Sequence, residues 1–112
     1  SASQQNSGVI NTYNTTNDTS SMLELIDKLL ASLPEIQGVD AEEIENVKDD
    51  LEMVQEQLKT DNPKKNRIGK ALVGIKKFAG DFSMKLAVTL AAGAVTVADW
   101  GMLLQQLENF IR

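Results

Sequence analysis

The residues able to do chemistry in this chain are few in kind. There is no histidine and no cysteine among its 112 residues. The commonest general base, the commonest metal ligand, thiolate metal sites, disulfides and a thiol nucleophile are therefore all absent. Carboxylates, lysines, hydroxyls and one tyrosine remain. The carboxylates include the neighbours Glu42/Glu43 and Asp49/Asp50. Sequence neighbours on a helix point about 100° apart, so these pairs do not imply a metal site. No catalytic residue, cofactor or metal ligand is assigned, and the expectation is a protein that is not an enzyme.

Lys64, Lys65, Arg67 and Lys70 gather at the start of an expected helix, where a phosphate could meet free backbone amides. Two features disfavour nucleic acid. The isoelectric point is about 4.6, and no aromatic residues interleave the lysines to stack bases. The plainer reading is a solvated face neutralised by the segment before it. Residues 40–61 hold nine acids and two lysines, a net of −7. Residues 63–85 hold six lysines, one arginine and one acid, a net of +6. A short loop joins the two segments, so they should fold back antiparallel with an acidic helix beside a basic one. Single exposed pairs contribute roughly 0–1 kcal/mol. Together they disfavour arrangements that oppose like charges.

Stepping from these charges to the elements that carry them, hydrophobic spacing predicts an all-α fold. It is a small antiparallel bundle of four helices, or five, with an extended N-terminal segment. Ser21-Met22-Leu23-Glu24 reads as a capping box opening the first helix, followed by Met22, Leu25, Ile26, Leu29, Leu30 and Leu33 at helical intervals. Pro34 should stop it. The second helix opens at Asp40, with acids in its first turn. Its apolar seam is Ile44, Val47, Leu51, Val54 and Leu58. The turn "TDNPKK" at 60–65 offers Asp61 or Asn62 as a cap and Pro63 as the first helical residue. The third helix carries Ile68, Ala71, Leu72, Ile75, Phe78, Ala79, Phe82 and Leu86 on one face, with a kink or break expected at Gly80-Asp81. "LAVTLAAGAVTVA", 86–98, is apolar all round and is expected to be a buried central helix. Asp99 then caps a last amphipathic helix bearing Trp100, Leu103, Leu104, Leu107, Phe110 and Ile111.

Residues 1–20 form a polar linker or association strand, and 21–112 the helical domain. Val9, Ile10 and Tyr13 are strand formers in "GVINTYNTTN". Because a lone strand is not stable, they are candidates for pairing with another chain. The opening Ser1-Ala2-Ser3, without Met, reads as a tag scar or as excision from a longer protein. "NTT" and "NDT" at 14–19 match the glycosylation triplet by chance, since no secretory signal precedes them. With no cysteine, a reducing cytoplasm is the expected setting. The longest charge-free apolar run, between Lys85 and Asp99, has 13 residues. A bilayer span needs roughly 20.

The order of a short Asn/Thr-rich strand, an acidic amphipathic helix, "TDNPKKNRIGKAL" and a small-residue apolar helix resembles the helical C-terminal modules of bacterial phage-defence proteins of the abortive-infection kind. The resemblance covers roughly residues 8–98, and "NPKKNRIGKAL" is its most specific piece. It implies an accessory module of a bacterial cytoplasmic protein, acting in association or regulation, and transfers no functional residue.

The function expected from these readings is a non-catalytic helical interaction or oligomerisation module, with a protein partner or self-association. Phe82, Leu86, Leu90, Trp100 and Leu104 are the candidate association or membrane face. The alternative is a membrane-active helical domain that uses the basic and apolar segment 64–98. Neutralising Lys64, Lys65 and Lys70 should leave affinity for DNA and RNA unchanged. Submicromolar binding at physiological salt that disappears with these lysines would overturn that reading.

Overall fold

The computed structural model describes the backbone of residues 15–112 and the side chains from Thr19 onward. These residues form α1 (Thr15–Ser32), α2 (Ala41–Leu58), α3 (Lys65–Asp81), β1 (Val88–Leu90), β2 (Gly93–Val95) and α4 (Val97–Ile111). α1 packs on α2 and α4, and α3 packs on the same two helices. The bundle is thus square in section, with α2 and α4 on opposite corners. Neighbours run antiparallel: Glu43, Asn46 and Asp50 of α2 line a cleft with Gly74, Lys77 and Asp81 of α3.

The apolar stripes account for this arrangement. Val47, Leu51, Val54 and Leu58 of α2 meet Ile68, Ala71, Leu72, Ile75, Phe78 and Ala79 of α3 in the core, which Met22, Ile26 and Leu29 of α1 and Trp100, Leu103 and Leu107 of α4 complete. Ile44 is only half-buried at the end of its seam. The α2–α3 connection is held from inside. The buried Gln57 accepts a hydrogen bond at Oε1 from the Lys64 backbone N–H at 2.9 Å, and Thr60 Oγ1 donates to the Gln57 carbonyl at 2.8 Å. Lys64 is the N-cap of α3, so Pro63 lies just outside the helix rather than at its first position. Between α1 and α2, Gly38 has φ +80, where a side chain is strained, and Lys85 Nζ lies 2.7 Å from where its Cβ would be.

Three expectations need correction. α1 begins at Thr15, six residues before the Ser21 capping box, and Ser21 and Glu24 lie exposed inside the helix. A capping box supplies partners for free amides but does not forbid another turn before it. The boundary at residue 20 therefore falls within α1. Val9, Ile10 and Tyr13 lie outside the described residues.

The second correction concerns 86–98: residues 88–95 form a β-hairpin, and Val97 and Ala98 open α4. Val88 pairs with Val95, Thr89 with Ala94 and Leu90 with Gly93, leaving Ala91-Ala92 as a two-residue loop. Gly93 adopts φ +138, which disfavours any residue with a Cβ. Val88, Leu90 and Val95 point inward while Thr89 and Ala94 are exposed. The β-branched Val88, Thr89 and Val95, with Val88, Leu90 and Val95 on the inner side, outweighed the helix propensity of the alanines. The hairpin packs on α1.

Third, α4 is capped by Thr96, and Asp99 is the returning arm of its capping box, accepting from the Thr96 N–H at 3.0 Å. Leu51 and Ile75 are both fully buried on facing helices. Leu51→Ala and Ile75→Ala should each lower stability by roughly 2–4 kcal/mol; denaturant melts measure this, and an unchanged midpoint would remove either residue from the core.

Candidate functional site

The four seams of the bundle differ in how they are tied. Gln55 of α2 donates to Asp27 of α1. Lys28 of α1 pairs with Asp99 of α4 at 3.5 Å, and Lys76 of α3 with Glu108 of α4 at 3.3 Å. Among the described residues no ion pair joins α2 to α3, although these helices carry the opposite charges. Lys77 turns instead to Asp81 on its own helix, at 2.8 Å.

The α2–α3 seam holds the one cluster with candidate chemistry, a shallow cleft of about 170 Å³ lined by Glu43, Asn46, Asp50, Lys77 and Asp81 over Val47 and Phe78. Asp50 lies against the α3 backbone, because a Cβ on Gly74 would overlap its carboxylate. Burial, and then the neighbouring Asp49, hold the Asp50 carboxyl above the usual value of 3.8. Lys77 is displaced the other way from what a catalytic amine needs. Its hydrogen bond to Asp81, with the charges of Asp81 and Glu43, holds the ammonium above its usual value. A lysine acting as base or nucleophile needs a lowered pKa. No group of three or more acids among the described residues is placed to hold a metal ion.

The candidate association face is divided by the fold. Leu86 and Trp100 are fully buried, with the Trp100 ring 5.4 Å from that of Phe78; both belong to the core and present no surface to a partner. Phe82, Leu90 and Leu104 are half-buried against that core. These positions are brought together, but mostly inward, because Leu86, Val88, Leu90 and Val95 of this stretch face the core.

The surface that sequence reasoning missed is the outer side of α4. Its exposed residues are Val97, Ala98, Gly101, Met102, Gln105 and Asn109, none of them charged. The hairpin that leads into it is uncharged as well, with Ala87, Thr89, Ala91, Ala92 and Ala94 exposed. α2 on the opposite corner exposes Glu42, Glu45, Asp49, Glu52 and Glu56, and α3 exposes Lys65, Arg67, Lys70, Lys76 and Lys77. The missed signal was present in the sequence as the long uncharged run after Lys85, read there as core. No helix among the described residues is long and apolar enough to cross a membrane. Compared with known proteins, the chain matches no family model, no curated protein and no solved structure.

The Asp50 environment gives a pH test. A carboxyl whose folded pKa lies above its unfolded value opposes folding when ionised. That opposition is complete above the folded pKa and fades as pH falls through it towards 3.8. Asp50→Asn should therefore be more stable than the native chain at pH 7, and the two should converge below the unfolded value. A less stable Asn variant at pH 7, measured by urea unfolding, would show that the carboxylate holds the seam together.

Proposed function

We propose that this chain is a non-catalytic helical interaction module of a larger protein. The carrying observation is the uncharged surface formed by the outer side of α4 and the hairpin, on a bundle whose other helices expose charge. Val97 and Met102 are 47% and 50% exposed there. Burying exposed apolar area contributes roughly 25 cal/mol per Å², and the one acid at the edge of this face, Glu108, is already paired with Lys76. The lack of His and Cys and the raised pKa of Lys77 fit a role in binding rather than in catalysis. The resemblance of residues 8–98 to phage-defence modules supports reading the larger protein as one of that kind.

One observation favours a second reading, contact with an anionic membrane. The large exposed apolar residues Val73, Met84, Val97 and Met102 all follow α2 in the chain, as do Lys65, Lys70, Lys76, Lys77 and Lys85. Exposed apolar side chains together with lysines are the composition of a peripheral surface contact. The experiment that separates the readings places a photo-crosslinking side chain at Gln105, or at Glu45 on the opposite corner, in the full-length protein. Protein adducts from position 105 and none from 45 are expected. Absence of protein adducts from 105, with flotation on anionic vesicles that is lost when Lys65 and Lys70 are neutralised, would overturn the interaction module in favour of the membrane.

A further inference from the structure

We infer that the outer face of α4 takes a second copy of this chain about a two-fold axis, an inference that rests on the interaction-module reading. A two-fold interface sets a surface against its own image. Centred on α2, it would bring Glu45, Asp49 and Glu52 against one another; centred on α3, Lys70 and Lys77. Like charges so opposed repel, and the chain as a whole already carries −5. Centred on α4, the axis opposes Val97, Ala98, Gly101, Met102 and Gln105 to the same uncharged residues. The electrostatics of the surface thus select this face for self-pairing.

The contour of the face agrees. At 100° per residue, Val97, Gly101, Gln105, Ala98, Asn109 and Met102 fall within one arc of about 140°. Gly101 lies inside that arc, and nothing stands within 4 Å of where its Cβ would be. Helix axes approach to within 8–10 Å according to the side chains at the contact, so small residues here let a second α4 come close. Asp99 points away from the arc and pairs with Lys28; Glu108 falls near the Val97 edge of the arc, where Lys76 of α3 pairs with it at 3.3 Å.

From Val97 to Asn109 the face is about 18 Å long. An interface of this length, widened by the hairpin, buries less than about 1,200 Å² in total, the size of transient associations. The dimer is therefore concentration-dependent. One rival is also complementary: a two-fold along the α2–α3 seam would set the acidic helix of each copy on the basic helix of the other. That pairing would be screened by salt, whereas pairing through α4 would not.

The native chain carries no cysteine, so single-cysteine variants report proximity without background. In sedimentation velocity the native chain should move from one chain mass towards two as concentration rises into the hundreds of micromolar, with about the same midpoint at low and high salt. On mild oxidation, at least one of Ala98→Cys, Gly101→Cys and Gln105→Cys should form a disulfide dimer, while Glu45→Cys should not. Met102→Lys should abolish the shift in mass while leaving circular dichroism and thermal melting unchanged. Salt-sensitive association with crosslinking through Glu45→Cys or Lys70→Cys would overturn the α4 interface. A constant single-chain mass would overturn the second copy as partner. If adducts from position 105 then identify a different protein, the interaction-module reading stands without self-pairing; if there are none and the vesicles bind, both readings fall.

Discussion

Burial of four apolar stripes in one square core is the constraint on which the rest of the molecule depends. Leu51, Ile75, Ile26 and Trp100, one from each helix, are fully withdrawn from solvent. Once those faces are committed inward, the rotation of every helix is fixed, and so is the residue set it shows to solvent. The sequence makes the outward faces of α1 and α2 acidic, that of α3 basic and that of α4 nearly uncharged. The hydrophobic effect, which is blind to charge sign, therefore sorts acid, base and neutral surface onto separate corners.

The seams show how little direct pairing this sorting requires. The strongest opposition of net charge lies between α2 and α3, yet no ion pair within 4 Å crosses that seam among the described residues. Gly74 removes the side chain that would hold the helices apart, and Asp50 occupies the space. Its carboxylate is then partly desolvated without a cation beside it, since Lys77 is engaged with Asp81. Apolar contact between the stripes holds these two helices together, and the opposed charges act at longer range, on which partner arrangement is favoured. The two seams of α4, by contrast, each carry a cross-helix ion pair, and these consume the acids that would otherwise stand beside its outer face.

Much of this was legible in the sequence. Residues at steps of three and four, such as Val47, Leu51, Val54 and Leu58, fix a helix and its buried side together, so α2 and α3 follow from spacing alone. The break after Gly80-Asp81 and the helix at the C-terminus were legible for the same reason. The hairpin was obscured because "LAVTLAAGAVTVA" mixes two signals. Its alanines and leucines favour a helix, whereas Val88, Thr89, Val95 and Thr96 favour a strand. Only the packing of Val88, Leu90 and Val95 against the helices decides between them, and a local window does not contain that contact. The buried Gln57 was hidden for a related reason: its oxygen serves the Lys64 amide across the loop, a role visible only when both ends are in place.

The candidate site was less legible because its defining property is an absence of charge, and an uncharged run reads first as core. Leu86 and Trp100 are core. The helix that follows places Ala98, Gly101, Met102 and Gln105 outside, since a helix that buries Trp100, Leu103 and Leu107 exposes its opposite side. A soluble bundle ordinarily covers such positions with charge, as α2 and α3 do here. The exception falls on the corner diagonally opposite the most acidic helix, so a partner seated on α4 is kept at the greatest distance from the α2 carboxylates. For a chain of net negative charge, a second copy docked on that corner would meet less repulsion than one docked on α2, and the helix rotations that build the core would set its direction of approach.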